Sequence, residues 1–536
     1  MPGYQAIGDM LDTVAARFPD KDAFCIGERR ITYQDLARLS DTMAKALSRS
    51  GVRKGDRVAV WMKNCIEWLI TFYGAAKMGA VLVPLSTRFK ASEARHILAQ
   101  SGASVLIFNK AFSGVDFISL FDEVAPGLGR GAQSTILPAL DKLIVVGSGI
   151  QDGTGLIEFW RFLEQGLQAA GNGPGETGRH IGATDPFLIQ YTSGTTGFPK
   201  GVVLTQGNFT QTGYEVGLRQ ELSPEDRFFS PAPYFHVSGT MHALVAPISH
   251  GCTVYSVEKY ELEAVMDSIC RNQCTAYHGF NFFKDYFAHR EQFAGRYDVS
   301  VLKRAWTTGT AVDMANIGRL GIKVCSLYGL SETTGCSTIC SPSQPEAQRT
   351  RTVGKPLPGI EVCIQDRQGS GALLGPSEEG EICIRGWNLM DGYFANPDET
   401  RIAFDASGWF HSGDLGSMDA DGNLRYHGRL KDIIRVGGEN LSPLEVENLL
   451  RRHPEIMEAC VVGVPDARLG EVCMAFIQLR PGRLVAKDDI VVFCRKNIAS
   501  YKVPRHIHFV TEFPVTGNNK IRRAELREIA RRTLNV

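Results

Sequence analysis

Hydrophobic positions in the first part of the chain follow two alternating spacings. Residues 7–18 and 33–47 carry apolar side chains at helical spacing, whereas residues 58–62, 81–84 and 105–108 are short continuous apolar runs. Short buried strands that alternate with helices are typical of α/β units built around a parallel sheet. The same alternation resumes after residue 202, so we predict an α/β fold for most of the chain.

The pattern changes beyond Gly354. Short alternating runs at residues 361–365, 380–385, 408–411 and 423–426 are separated by the turn sequences DRQG and DADGN. Alternating strands joined by tight turns predict antiparallel pairing. We therefore expect a β-barrel-like antiparallel region at the end of a large N-terminal domain.

A charged connector, GRLKD at residues 428–432, precedes a compact segment with α+β character. Ser442, Pro443 and Glu445 match a capping box at the start of a helix. Strands are predicted at residues 460–464, 473–479 and 506–510, and helices at 487–497 and after Lys520. The last helix carries several arginines, and because Glu525 and Glu528 interrupt them, we interpret it as a solvated face.

Composition narrows the possible classes of protein. At 536 residues the chain is too long for one hydrophobic core, and its formal net charge of +0 gives no general bias toward nucleic acid or anionic membrane. The first residues show no secretory signal, and the uncharged window 237–257 is interpreted as buried helix and strand because polar residues interrupt it. The 13 cysteines include no CxxC pair, so a zinc site is not expected. Scattered thiols in a large chain predict a location in the reducing cytoplasm.

The stretch YTSGTTGFPKGV at residues 191–202 carries the clearest chemistry. Glycines allow backbone N–H groups to approach a phosphate, while hydroxyl groups and Lys200 add donors and positive charge. Apolar runs on both sides place the stretch in a loop between strands. It is not a Walker A loop, because Phe198 and Pro199 separate Gly197 from Lys200.

Four further motifs follow in order: YGLSET at 328–333, HSGDL at 411–415, GRLKDIIRVGGENLSPLEVE at 428–447 and PVTGNNKIRR at 514–523. With the loop, they resemble the adenylate-forming enzymes, and most closely the acyl-CoA synthetases. The resemblance covers nearly the whole chain. It implies that ATP and a carboxylate form an acyl-adenylate, and that the thiol of CoA then displaces AMP. It also implies a domain of residues 1–428, a hinge at 429–432 and a mobile lid at 433–536.

The resemblance assigns the nucleotide site residue by residue. Lys200 and the preceding loop would hold the β- and γ-phosphates, Glu332 would bind Mg²⁺, and Asp414 would accept the ribose hydroxyls. Tyr328 would stack on the adenine, Arg429 would contact the nucleotide, and Lys431 occupies the hinge position. The other nucleotide-binding residues implied are Thr192, Ser193, Gly194, Thr195, Thr196, Gly197, Gly309, Thr310, Gly329, Ser331 and Thr333.

Lys520 matches the lysine that the lid inserts during adenylation, and with Glu332, Lys200 and His236 it completes the catalytic set. His236 would lie between the phosphates and an acyl pocket that includes Gly239, Phe280 and Trp306. Gly437, Gly438 and Glu439 would line the channel for CoA.

No arginine or lysine occurs in the predicted pocket segments, residues 231–239 and 277–283, and the first to follow the second segment is Lys284. An aromatic, apolar pocket favours a medium- or long-chain fatty, alicyclic or aryl acid. Two alternatives stay open: transfer of the acyl group to a carrier-protein phosphopantetheine, and an inactive relative that acts as a scaffold. A homodimer is also left open, and no transmembrane segment is expected.

Overall fold

The computed structural model describes residues 6–132, 134–150, 154–168, 181–192, 199–279, 282–293, 295–309, 311–366, 371–436, 439–516 and 520–534. Within these residues the chain forms two large, mainly parallel sheets and two smaller, mainly antiparallel ones. The α/β prediction and the change to antiparallel pairing beyond Gly354 are both confirmed.

The first sheet has nine strands in the described residues, parallel in its centre and antiparallel at its edges. In spatial order they are Lys355–Pro356, Thr338–Ile339, Lys323–Tyr328, Arg304–Thr307, Ala276–His278, Arg227–Phe229, Thr253–Ser256, Asp22–Ile26 and Arg29–Thr32. Tyr328, Thr307 and His278 therefore lie at the carboxyl ends of neighbouring parallel strands, where open α/β sheets bind their ligands.

The second sheet has eight strands in the described residues: Gly392–Tyr393, Lys200–Thr205, Pro186–Thr192, Val81–Pro84, Arg57–Trp61, Val105–Asn109, Lys142–Val146 and Leu156–Glu158. Its first members pair antiparallel and the others parallel. A short hairpin of Ala111–Phe112 and Val115–Asp116 lies apart from both sheets.

Helices cover the faces of these sheets because their apolar stripes have no other partner. Local signals fix their ends: Thr32 accepts a hydrogen bond from the Asp35 N–H at the start of Tyr33–Arg49, and Gly79 ends Ile66–Met78 at φ +75°. The other α-helices before residue 360 are Ile7–Arg17, Ala91–Ser101, Phe117–Val124, Phe159–Gln168, Gln206–Arg219, Val237–Gly239, Ala246–Ser249, Leu262–Arg271, Phe282–His289, Ala311–Gly318 and Glu346–Arg351. None of the described helices is both long and apolar enough to span a bilayer.

The third sheet is antiparallel and consists of Ile360–Gln365, Gly380–Gly386, Phe410–Met418 and Leu424–Arg429, with the helix Pro397–Ala403 before its third strand. The C-terminal sheet contains Glu439–Leu441, Ile434–Val436, Gly470–Leu479, Ile456–Asp466 and His506–Phe509. The helices Pro443–Leu450, Lys487–Asn497 and Arg523–Leu534 pack against it.

Two local predictions need correction. The helix Pro443–Leu450 begins where predicted, but Ser442 does not form the capping box, because its hydroxyl donates to the His427 carbonyl instead. The final helix is not simply a solvated face. Arg523 pairs with Glu447, and Arg527 pairs with Asp432 at 2.7 Å, so part of its positive charge holds the connector against the C-terminal unit.

Candidate active site

Thr192 and Lys200 flank the stretch that the sequence predicts to bind phosphate. They face each other as the terminal register pair of the antiparallel strands Pro186–Thr192 and Lys200–Thr205, and the Thr192 hydroxyl donates to the Lys200 carbonyl at 3.4 Å. The strands predicted before and after this stretch are both confirmed. Residues Ser193, Gly194, Thr195, Thr196 and Gly197 lie outside the described residues.

Lys200 is connected to Glu332 through an aromatic ring. Its ammonium group pairs with Glu399 at 2.5 Å and lies 5.2 Å from the centre of the Tyr393 ring. The Tyr393 hydroxyl in turn donates to Glu332 Oε1 at 3.0 Å. The lysine assigned to phosphate and the carboxylate assigned to metal therefore belong to one contact network.

The loop after Tyr328 has little freedom. A side chain at Gly329 would begin 2.4 Å from the Gly335 carbonyl oxygen, so only glycine fits there. The Asn388 amide donates to the Thr333 and Cys336 carbonyls, and the backbone N–H of Met390 donates to the Glu332 carbonyl. These contacts fix the backbone from which the Glu332 side chain extends.

Asp414 is the most buried carboxylate of the site, with 1% of its side chain exposed. It is in register with Arg429 on the neighbouring strand, and Oδ1 lies 2.9 Å from Arg429 Nε. The Tyr328 hydroxyl donates to Oδ2 at 2.8 Å. Burial raises the Asp414 pKa to about 6, although Arg429 and Tyr328 both act to lower it.

Lys520 reaches the same place from the C-terminal unit. Its backbone N–H donates to the Thr516 hydroxyl at 3.2 Å. Burial within the surrounding protein lowers the Lys520 pKa and Arg429 lowers it further, whereas Glu332 and Asp414 act to raise it. Lys520 nevertheless keeps a solvent-exposed surface.

His236 completes this group. Its Nδ1 accepts a hydrogen bond from the Ser238 N–H at 3.1 Å, so the ring caps the short helix Val237–Gly239. Burial lowers the His236 pKa to about 3, and the nearby Lys520 contributes in the same direction. The imidazole is neutral at ordinary pH, so it can bind or orient a ligand but does not supply a positive charge.

The other residues predicted for an acyl pocket have structural partners. Trp306 is fully buried, donates its indole N–H to His242 Nδ1 at 3.0 Å and stacks on Phe228. A side chain at Gly239 would begin 2.1 Å from the Pro233 carbonyl oxygen, so close packing explains this glycine. Phe280 lies outside the described residues.

The remaining predicted residues are spread around the site. Ser331, Glu332 and Thr333 form a short 3₁₀ turn, Gly309 is exposed after the strand Arg304–Thr307, and Lys431 is exposed in the connector. Glu439 is exposed at the start of its strand. Thr310, Gly437 and Gly438 lie outside the described residues.

Sequence reasoning missed Tyr393, Glu399 and Asn388. The strand Gly392–Tyr393 joins the edge of the second sheet, with Tyr393 opposite Val202, and so brings its ring beside Lys200. The short GY dipeptide was the only local signal, and it did not indicate which strand it would join.

Comparison with known families accounts for this geometry. Residues 11–394 match the family model described as AMP-binding enzyme, and residues 445–520 match the AMP-binding enzyme C-terminal domain. The chain belongs to the AMP-binding enzyme family. It is a carboxylate–CoA ligase of this family, whose members use ATP and CoA.

Individual relatives agree over nearly full length. The protein YngI of Bacillus subtilis, whose name assigns it to the acyl-CoA synthetases, is 34% identical over 98% of this chain and 97% of its own. A 3-[(3aS,4S,7aS)-7a-methyl-1,5-dioxo-octahydro-1H-inden-4-yl]propanoyl:CoA ligase of Mycobacterium tuberculosis is 32% identical over 97% of this chain and 98% of its own. The crystal structure of the anthranilate CoA ligase AuaEII with anthranoyl-AMP superposes with a TM-score of 0.88 at 27% identity, covering 100% of this chain and 99% of that one.

Proposed function

We propose that this site activates an apolar carboxylic acid with ATP and then transfers the acyl group to CoA. The observation that carries the proposal is the position of Lys520, which reaches from the C-terminal unit into electrostatic range of Glu332, Asp414 and Arg429. A carboxylate that attacks a phosphate brings two anions together, so a cation at this point favours that step over others.

In the first half-reaction a carboxylate oxygen of the acid attacks the α-phosphorus of ATP. The bond to the β-phosphate oxygen breaks, and pyrophosphate leaves with its electron pair. In the second half-reaction the CoA thiolate attacks the acyl carbon, and AMP leaves. Lys520 would stabilise the charge between the carboxylate and the α-phosphate, and Lys200 with the loop from Thr192 would hold the other phosphates.

The residues around Asp414 suit a nucleoside. Asp414 Oδ1 is buried and accepts no hydrogen bond of good geometry from the described residues, although Arg429 ion-pairs with it. A ribose hydroxyl supplies the missing donor. Arg429 and Lys520 add the positive charge that the α-phosphate requires.

Glu332 suits Mg²⁺, because an oxygen ligand is what this hard cation prefers and because the Tyr393 hydroxyl already orients one carboxylate oxygen. Mg²⁺, when bound, would neutralise phosphate charge during the attack. The chain's own contribution is to hold the Glu332 carboxylate beside the phosphate loop through Tyr393 and the Met390 backbone.

An apolar acid fits the surroundings of His236. The first cation after the predicted pocket segment is Lys284, and it pairs with Glu458 of the C-terminal unit, so its charge is already neutralised. A relative in Bos taurus, ACSF2, is named a medium-chain acyl-CoA ligase, and the two ligases compared above are named for a bicyclic propanoic acid and for anthranilate. We therefore propose a medium- or long-chain fatty, alicyclic or aryl acid.

The alternating lid is part of this proposal. Residues 1–428 would form the nucleotide-binding domain, Lys431 would lie in a hinge at 429–432, and residues 433–536 would rotate between half-reactions. Gly437, Gly438 and Glu439 would then approach the pantetheine of CoA. The free state of all 13 cysteines is compatible with the cytoplasmic location that we also propose.

A panel of short, medium, long-chain, alicyclic and aryl acids tests the proposal through ATP–pyrophosphate exchange. CoA and a holo carrier protein are then offered separately to each acid that exchanges. We expect exchange with apolar acids and thioester formation with free CoA. Exchange with none of the acids would contradict the activity, and transfer to the carrier protein alone would contradict the acceptor.

A further inference from the structure

A row of potential metal ligands crosses the third sheet beside Asp414. Cys363 lies opposite Cys383 on the next strand, and Cys383 lies opposite His411 on the strand after that. Glu381 is two residues before Cys383 on the same strand. Because paired residues and residues two apart point to the same face of a sheet, these side chains share one face.

The donor atoms are close together. His411 Nδ1 lies 3.0 Å from Glu381 Oε2 and 3.6 Å from Cys383 Sγ, and the ligand atoms of these three residues all fall within 4.8 Å of one another. Cys363 is the direct register partner of Cys383 in the antiparallel pair of strands, which places its side chain beside that of Cys383 on the same face. Zinc bonds of about 2.3 Å to sulfur and about 2.0 Å to nitrogen, at a tetrahedral angle, separate the two atoms by about 3.5 Å.

We propose that Cys363, Cys383, His411 and Glu381 form a structural site for one Zn²⁺ ion. Two thiolates, an imidazole and a carboxylate select zinc over magnesium, which distinguishes this site from the one proposed at Glu332. Four protein ligands leave no open position for catalysis. Binding releases the two thiol protons to solvent.

The surroundings fit such a centre. His411 Nε2 faces Asp405 Oδ2 at 3.8 Å. A carboxylate beside the ring nitrogen that does not bind the metal is the usual means of orienting a ligating histidine. Cys383 is fully buried, while the side chains of Glu381 and His411 are 19% and 31% exposed, which leaves a path for the ion. The ligands come from three separate strands, and for this reason the absence of a CxxC pair did not exclude them.

The ion would brace the strand segment that carries Asp414. The register between Gly380–Gly386 and Phe410–Met418 shifts at this point, and residues 412–414 form the irregular segment. Gly413 has φ +67°, and its N–H donates to Glu381 Oε1 at 2.9 Å. A metal held by Glu381 and His411 would fix both ends of the segment and so the position of the ribose-binding carboxylate.

The first test measures metal content, which is independent of ligase activity. The full-length protein is purified without chelators, equilibrated with zinc, desalted and analysed by inductively coupled plasma mass spectrometry. We expect about one zinc per chain for the native protein and almost none for Cys363→Ser combined with Cys383→Ser. The matched control replaces Cys270 and Cys494, one half-buried and one buried cysteine outside this sheet, and should keep the metal.

Cobalt provides the second measurement. Co²⁺ in the native protein should give thiolate charge-transfer and tetrahedral d–d absorption, which the single Cys363→Ser variant alters and the control does not. Removal of the metal should weaken AMP binding about 10-fold. A metal-free native protein without a cobalt spectrum would overturn the proposal, because Nδ1–H of His411 would then simply donate to Glu381. Equal zinc content in the double serine variant, or a Cys363–Cys383 disulfide after anaerobic purification, would overturn it as well.

Discussion

The Tyr328 hydroxyl donates a hydrogen bond of 2.8 Å to Asp414 Oδ2, and this contact opposes the effect of burial on the carboxylate. The Asp414 pKa is nevertheless raised to about 6, above the ordinary value of 3.8. The folded protein therefore binds this proton more strongly than the unfolded chain, and the buried charge costs stability above about pH 6. Ligand binding has the opposite requirement, since only the ionised carboxylate accepts both ribose hydroxyls.

AMP affinity is therefore expected to fall as the pH drops through about 6. The Tyr328→Phe variant removes a donor to the ionised form, so the decline should begin about one pH unit higher. Isothermal titration calorimetry across this range measures the midpoint. Tyr426→Phe is the control. It removes the hydroxyl of a ring whose centroid lies 5.8 Å from that of Tyr328, and it should leave the midpoint unchanged. An unchanged midpoint in Tyr328→Phe would contradict the assignment to Asp414.

Lys520→Ala should remove adenylation while sparing thioester formation. The ammonium group supplies charge between two anions in the first half-reaction only, and its loss is expected to slow that step by roughly 10²–10³-fold. Rapid-quench assays with ATP and acid, and separately with supplied acyl-adenylate and CoA, measure the two steps. Arg522→Ala is the control, because Arg522 is exposed and pairs with Glu525 in the first turn of the helix that follows it. Equal loss of both steps would contradict the alternating lid.

Tyr393→Phe should weaken the response to Mg²⁺ and leave the acid-binding step unchanged. The variant keeps the ring beside Lys200 but loses the 3.0 Å hydrogen bond that orients Glu332. A lost hydrogen bond of about 0.5–1.5 kcal/mol corresponds to roughly a 2- to 12-fold higher Mg²⁺ concentration at half-maximal rate. Titration of the pyrophosphate-exchange rate with Mg²⁺ checks this. A change in the acid KM alone would refute the link between Tyr393 and the metal.

Lys284→Met should slow adenylation more than thioester formation. Lys284 pairs with Glu458, which also contacts Arg451 Nε at 2.5 Å, so the pair joins the helix Phe282–His289 to the C-terminal unit. Because Lys284 is 45% exposed, we expect the ion pair to contribute only about 0.2–1 kcal/mol. This free energy corresponds to a change in the adenylation rate of up to about 5-fold. Lys259→Met removes a surface pair with Glu261 and serves as the control. A larger effect on thioester formation would show that the ion pair does not favour the position of the C-terminal unit that serves adenylation.

The sequence predicted those parts of the molecule that depend on local rules. The glycine, threonine and lysine of residues 191–202 indicated a loop between strands, and Thr192 and Lys200 do end the two strands. Asp414 and Arg429 lie 15 positions apart in the sequence. Their motifs singled out both, but only the register of the third sheet shows that they pair.

Contacts between distant segments could not be predicted in this way. Tyr393 meets Lys200 and Glu332 because a two-residue strand joins a sheet edge almost 200 residues away, and no periodicity encodes that choice. Ser442 followed a good helix-capping pattern, yet a carbonyl from the third sheet competes successfully for its hydroxyl. The four proposed zinc ligands likewise become neighbours only when three strands align.

The short helix Phe282–His289 begins within the segment predicted to border the acid, residues 277–283, and through Lys284 it also contacts the C-terminal unit. A substitution in this helix that admits a new acid would therefore also alter how long the C-terminal unit stays in place. A change in substrate range would then be accompanied by a change in the relative rates of the two half-reactions. Variants selected for a new acid should then acquire compensating changes around Glu458 and Arg451, on the other side of the ion pair.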